Sequence, residues 1–310
     1  MATLVTGATG TVGSAVVDEL VARGATPRVA VRRPAAARER WGSDVAAVEF
    51  DFERPETWGG ALDGVSRAFL VRPPGVGVDR MREAVDALAR VGVERLAYLS
   101  VLGADRNPLL PHRRIERRVE SSGVPYTFLR ASFFMQNLVE VHRVDLVERG
   151  ELFVPAGEGE TSFVDARDVG AVGAAALTEP GHAYRAYDLT GPAALTYEEV
   201  AAALSAELDR DVRYPAPSVV AFVRRWLGRD APLPFVFVMV GIYTTARLGL
   251  AGRVTDDVAR VLGRPPRDLR TFAADYRGAF ASGDAQESPD GSDGGASGLA
   301  GRSDDGSGSL

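Results

Sequence analysis

The chain has 310 residues, a net charge of −6 and no cysteine, and all 36 of its basic residues are arginine. Without cysteine there is no thiol nucleophile, thiolate metal site or disulfide, and without lysine there is no Schiff base, phosphate-loop lysine or Tyr-x-x-x-Lys pair. The histidines, His112, His142 and His182, stand too far apart in sequence to predict a metal site.

The first strand is expected at Thr3 to Thr6, and directly after it runs Gly7-Ala8-Thr9-Gly10-Thr11-Val12-Gly13. Glycines spaced G-x-x-G-x-x-G between a strand and a helix suit a dinucleotide. Gly7 permits the tight turn, Gly10 lets backbone approach a pyrophosphate, and Gly13 lets the helix pack on its strand. Amides at the helix start then point at the phosphates. Gly7, Thr9, Gly10, Thr11, Val12 and Gly13 are therefore candidate cofactor-binding residues.

A helix near Val12 to Arg23 leads to a second strand at Arg28 to Val31. An NAD site usually places an acid about 20 residues beyond the loop, to hold the ribose 2′-hydroxyl. Here the strand runs into Arg32-Arg33-Pro34, with no acid before Glu39. Guanidinium groups pair with phosphate, so Arg32 and Arg33 point to NADP(H) in preference to NAD(H). In a chain this rich in arginine, the pair also fits a merely solvated surface.

Further strands are expected at Ala46 to Phe50, Ala68 to Val71, Leu96 to Ser100 and Thr127 to Leu129, with helices near Pro55 to Leu62, Val78 to Val91 and His112 to Ser121. This alternation predicts an α/β, Rossmann-type, doubly wound parallel sheet over residues 1–150. Ligands lie at the carboxyl ends of such strands. Asp51 and Phe52 then fall near the adenine edge, and Val71, Arg72 and Pro73 line the path toward nicotinamide. Ser100 ends the fifth strand; Tyr98, two residues earlier, shares its face. Tyr126 reads as core.

Residues 151–281 are expected to form a smaller α/β substrate domain whose strands partly extend the first sheet. Strands are expected at Thr161 to Val164, Ala186 to Thr190 and Val212 to Tyr214, with helices at Val169 to Leu177 and Tyr197 to Leu208. Thr196-x-x-Glu199 is a capping-box pattern before the second of these helices, and Asp168 fits an N-cap for the first, with Asp165 nearby. Leu233 to Tyr243 is the longest apolar run, about half a membrane span, and reads as a buried or partly buried helix. Residues 282–310 hold six acids against Arg302 and are expected to be a disordered Gly/Ser-rich tail that carries most of the net charge. The body is near neutral, which gives no charge-based case for nucleic acid. No secretory signal is visible, so a cytoplasmic location is expected.

The segments VTGATGTVG, AVRRP, DFERPETWGGALDGVSRAFLVRPP, RLAYLSVLGAD, HRRIERRVESSGVPYTFLRASFFMQNL, FVPAGEGETSFVDARDVGAVGAAAL and GRPPRDLRTF together resemble the NmrA-like group of atypical short-chain dehydrogenase/reductases. The resemblance implies an NAD(P)H-binding protein. It is either a reductase of quinones and related electrophiles or a redox-sensing regulator that reports cofactor state to a protein partner. Ser100 matches the family's substrate-facing serine, and His112 resembles the histidine of its quinone-reductase-like members. A histidine titrating near neutral pH can donate a proton, which makes Ser100 and His112 the candidate catalytic residues; alternatively Pro111-His112 simply opens a helix into solvent. Phe133, Phe134, Met135, Gln136 and Asn137 border the substrate cleft in the family, which with the 233–243 run predicts an apolar or aromatic small-molecule substrate; a core role is the other reading. Nucleotide-sugar epimerase chemistry is a third possibility, weakened by the absent Tyr-x-x-x-Lys.

Overall fold

The structure is a computed structural model that describes residues 2–281; the tail expected at 282–310 lies outside the described residues. Seven parallel strands form the main sheet: β1 (Ala2–Thr6), β2 (Arg28–Val31), β3 (Ala46–Glu49), β4 (Val65–Leu70), β5 (Arg95–Val101), β6 (Tyr126–Ala131) and β9 (Arg185–Leu189), in the order β3-β2-β1-β4-β5-β6-β9. A second, three-stranded sheet is built from β7 (Phe133–Phe134), β8 (Glu160–Val164) and β10 (Ala194–Thr196). The doubly wound Rossmann-like α/β fold is therefore present, and the strand order reverses between β1 and β4.

Two apolar layers hold the main sheet. On one face Val16, Val17 and Leu20 of helix Thr11–Ala22 pack with Val169, Val172 and Leu177 of helix Ala166–Thr178. These two helices approach very closely because Gly170 faces Ala15: a Cβ there would lie 2.5 Å from the Ala15 Cβ. On the other face, Met81, Val85 and Leu88 of helix Val78–Arg90 join Ile115 and Val119 of helix Pro111–Ser121. Both faces are covered, which is why the central strands read as unbroken apolar runs. A third cluster, around Phe163, Tyr197, Phe222, Tyr243 and Phe272, forms the core of the C-terminal lobe.

Several local expectations differ from the structure. Pro34–Trp41 is a helix that lacks an apolar face, since only Ala37 is buried, so its periodicity is silent. Val212 to Tyr214 is no strand; it contributes an isolated bridge between Glu151 and Arg213. The helix expected from Val169 begins at Ala166, and its cap is Asp165, whose side chain accepts from the Arg167 amide. Asp168 instead lies fully buried against the guanidinium groups of Arg264 and Arg267. The Thr196/Glu199 capping box is present. The 233–243 run sits in helix Leu233–Arg247, which buries Val236, Met239 and Tyr243 and exposes Phe237 and Val238. No helix among the described residues is long and apolar enough to cross a membrane.

Candidate functional site

The crevice above the β1/β4 boundary is lined first by the glycine turn. Gly7 has φ +58°, and a Cβ on it would lie 2.3 Å from the Val71 Cγ1, so the two strand ends meet in close contact. Thr6 Oγ1 ties them further, donating to the Phe69 carbonyl and accepting from the Val71 amide, each at 3.1 Å. Gly10 is the N-cap of helix Thr11–Ala22 and offers no side-chain oxygen to its first turn. The amides of Thr11, Val12 and Gly13 are thus available to an anion at the positive end of a three-turn helix. The Thr11 hydroxyl donates to Glu140 at 2.8 Å. The loop has the shape and the free donors that a dinucleotide pyrophosphate requires.

The residues beyond the loop are less uniform. Arg32 and Arg33 are exposed where β2 gives way to helix Pro34–Trp41, and neither has an ion-pair partner among the described residues. Asp51 spends its carboxylate locally, accepting from the Glu53 amide at 3.0 Å and from Arg54 at 3.3 Å. The Phe52 ring is buried edge-on against Phe50 and is not open to a ligand. Val71, Arg72 and Pro73 are half-buried just beyond β4.

Ser100 and Tyr98 do share a face of β5, and that face meets helix Pro111–Ser121. The Tyr98 hydroxyl lies 2.9 Å from His112 Nδ1, and Ser100 Oγ donates to Glu116 Oε1 at 2.7 Å. His112 and Glu116 are four residues apart, one above the other on the helix. Glu116 has no solvent exposure and also accepts from Arg130 at 2.9 and 3.0 Å and from Arg113 at 3.1 Å. Sequence reasoning singled out neither Glu116 nor Arg130; the i,i+4 spacing of His112 and Glu116 was the available signal.

The electrostatics correct one expectation. Burial, and then the charge of Arg72, push the His112 imidazole down to about 4, against an upward pull from Glu116. His112 is therefore neutral at pH 7 rather than titrating there, and it stands beside a Tyr98 hydroxyl that burial pushes up and Arg72 partly draws back. Nor do Met135 and Gln136 open onto a cleft. Both are buried, and the Gln136 amide bridges Asp165 Oδ1 at 2.9 Å and the Ala166 amide at 3.0 Å, pinning the start of helix Ala166–Thr178. Burial works against the Asp165 carboxylate, but the Arg167 and Gln136 hydrogen bonds outweigh it and hold its carboxyl below the usual range. Phe133 packs edge-on to Phe163, 5.6 Å between centroids. Among the described residues, no group of histidines and acids is placed to hold a metal ion.

The same burial makes a stability prediction. His142, fully buried behind Tyr243, is also pushed down to about 4 by desolvation. Both imidazoles are neutral in the fold and regain an ordinary pKa near 6.5 on unfolding. Their contribution is complete above pH ~6.5 and falls as pH drops toward 4, each by on the order of 3 kcal/mol. Urea unfolding between pH 7 and 5, above most carboxylate titration, should show this decline, and His142→Gln should remove about half of it. Equal stability at pH 7 and 5 would contradict the buried, neutral assignment.

The chain is similar to known proteins along most of its length. The family model described as "NmrA-like family" matches residues 2–245. An NAD(P)H azoreductase of Xenophilus azovorans is 38% identical over 282 residues, which is 89% of this chain and 98% of that protein. A (4-alkanoyl-5-oxo-2,5-dihydrofuran-3-yl)methyl phosphate reductase of Streptomyces griseus is 35% identical over 90% of this chain and 99% of its own length. Among solved structures, the NADPH-dependent quinone oxidoreductase of Escherichia coli complexed with NADPH superposes with a TM-score of 0.80 at 25% identity, covering 89% of this chain and 99% of that one. The match over residues 2–245, with relatives aligned almost end to end, means that the chain belongs to the NmrA-like family.

Proposed function

We propose that this chain is an NAD(P)H-dependent oxidoreductase that takes NADPH in preference to NADH and reduces a quinone-like or comparable flat, electrophilic acceptor. The observation that carries the reading is the juxtaposition at the β1/β4 reversal. A glycine turn, followed by helix amides left open by its side-chain-free N-cap, meets Val71 just before Arg72, and the Tyr98–His112 pair stands within reach of the Arg72 charge. The relatives named as reductases of azo compounds, quinones and a dihydrofuranone phosphate support it.

Reduced nicotinamide supplies the hydride when bound. The chain's own part is to bind and orient. The Thr11, Val12 and Gly13 amides hold the pyrophosphate, Arg32 and Arg33 offer donors to a 2′-phosphate, and the half-buried Val71–Pro73 segment shields the reacting end from water. The absence of lysine removes the tyrosine–lysine system that typical alcohol-forming members of the superfamily use, which favours acceptors whose reduced form is a stabilised anion. Quinones and other conjugated electrophiles meet that condition.

The test is loss of the dihydronicotinamide absorbance across a panel of quinones, azo dyes and conjugated enones, with NADPH and with NADH. Turnover of at least one class is expected. A sensor without catalysis would show none, together with distinct affinities for NADPH and NADP+. For cofactor choice, Arg32→Asp should weaken NADPH by roughly 10- to 150-fold, the worth of a hydrogen bond to a charged group (about 1.5–3 kcal/mol), and leave NADH within threefold. Equal losses for both cofactors would sink the 2′-phosphate assignment.

A further inference from the structure

Among the described residues, five buried side-chain polar atoms have no hydrogen-bond partner, and two of them, Arg72 Nε and Ser132 Oγ, follow the carboxyl ends of β4 and β6. The arginine is the more telling. A guanidinium is a permanent cation with five donors and no acceptor, and leaving one of its buried N–H groups unpartnered costs about 1–3 kcal/mol. Nearby arginines are neutralised: Arg113 and Arg130 share Glu116. Arg72 has no ion-pair partner among the described residues, and its charge reaches both Tyr98 and His112. It follows directly on Val71, which touches the Gly7 turn. An uncompensated cation therefore stands between the dinucleotide turn and the Tyr98–His112 pair, where the reacting end of the cofactor and an acceptor would meet.

We propose that Arg72 is a catalytic residue whose guanidinium receives the negative charge that develops on an acceptor oxygen during reduction. The inference rests on the reductase reading above and adds the residue that does the work of the absent lysine. In the step, the reduced nicotinamide gives up a hydride and becomes oxidised. The hydride bonds to the quinone-like acceptor, a carbonyl π bond breaks, and its electron pair moves to oxygen. The resulting oxyanion rests on the Arg72 N–H groups and takes one proton from water; the adduct then tautomerises, its carbon-bound hydrogen leaving as a proton while the remaining carbonyl oxygen gains one, which gives the hydroquinone. A neutral His112 leaves the positive charge of this corner on Arg72, and the buried Tyr98 hydroxyl is held against His112 on helix Pro111–Ser121. Donors fixed where charge develops need no reorganisation at the moment of transfer, which makes this kind of contact one of the larger contributions to rate.

The rival role for Arg72 is a cofactor ligand, and the experiment separates the two. The full-length protein is compared with Arg72→Met and Arg72→Lys in quinone reduction, in NADPH binding by fluorescence titration, and in binding of p-nitrophenol to the NADP+-loaded protein. Arg72→Met should lose about 10²- to 10³-fold in kcat with the NADPH Kd within threefold, and Arg72→Lys should recover at least tenfold of that loss. The bound nitrophenol, read by its phenolate absorbance, should ionise about one to two pH units lower in the wild type than in Arg72→Met. A kcat in Arg72→Met within threefold of wild type, a loss of NADPH affinity in its place, no binding of the nitrophenol to the wild type, or an identical nitrophenol titration in both proteins would overturn the assignment. If the wild type reduces no acceptor at all, the reductase reading fails on its own, while the nitrophenol titration still reports whether Arg72 holds an oxyanion.

Discussion

Gly13→Val is expected to abolish measurable NADPH binding and to cost the fold about 3 kcal/mol or more. A Cβ at Gly13 would lie 2.0 Å from the Gly7 carbonyl oxygen, 2.6 Å from its carbon and 2.9 Å from the Ala8 Cα. All three are backbone atoms of the turn itself, so no side chain can swing aside. Relief requires helix Thr11–Ala22 to move off β1, yet the helix is fixed from behind by helix Ala166–Thr178, where a Cβ on Gly170 would already meet the Ala15 backbone carbon at 2.8 Å. Overpacking of a close-packed interior costs about 1–3 kcal/mol even where neighbours can adjust, and here they are pinned on both sides. A displacement of about an ångström at the first-turn amides is enough to lose roughly 100-fold in a positioned interaction. Gly10 supplies the control. Its Cβ would meet the Gly7 carbonyl oxygen at 3.4 Å and nothing nearer, so Gly10→Ala should unfold in urea at nearly the wild-type midpoint while binding NADPH more weakly, because the methyl group stands where a phosphate approaches. Wild-type NADPH affinity in Gly13→Val would refute the close-packing account of the turn.

That turn was legible in the sequence because its signal is local: three glycines, their spacing, and the strand and helix on either side. The parallel sheet was legible for a similar reason. Residues buried on both faces give β-branched runs, and glycines at 24, 64, 92 and 123 mark where helices end, each with positive φ in the structure. What escaped the sequence is carried by side chains meeting across elements. Glu116 looks like one acid on a strongly charged helix, PHRRIERRVES, and nothing in that string says that it is the buried member of the turn. Arg130 lies on the next strand and Ser100 on the one before, so the cluster exists only once β5, β6 and the helix are stacked. Asp165 and Asp168 show the limit at shorter range. Both precede an apolar run, and the choice of cap was settled by Gln136 and the Arg264–Arg267 pair, from distant parts of the chain. Arginine abundance blurred the site further, since a cation with an empty Nε and a cation in a surface ion pair are the same letter.

Glu116→Ala should therefore be among the most damaging changes in the Rossmann-like half, at about 3–5 kcal/mol, the usual cost of removing one partner of a buried ion pair. The wild-type carboxylate has no exposure, and its oxygens accept from Ser100, Arg113 and twice from Arg130. Alanine leaves Arg130, itself only 11% exposed, with Asp105 at 3.7 Å as its remaining partner and leaves the Ser100 hydroxyl without its acceptor. For a chain of this size the loss corresponds to roughly 5–8 °C in Tm. Glu116→Gln keeps the shape and one acceptor oxygen, so it should cost less, while its amide N–H groups face guanidinium donors that they cannot satisfy. The double variant Glu116→Ala/Arg130→Met separates pair strength from burial: if the damage in Glu116→Ala is an uncompensated guanidinium, the double variant should be more stable than the single one. The helix carrying Glu116 also carries His112, so the same change should loosen the Tyr98–His112 contact and slow turnover in Glu116→Gln, where the fold survives, with little change in the NADPH Kd. A Glu116→Ala protein within 1 kcal/mol of wild type, or a double variant less stable than the single, would mean that the helix is held by its apolar face of Ile115 and Val119 and that the buried carboxylate does not position it.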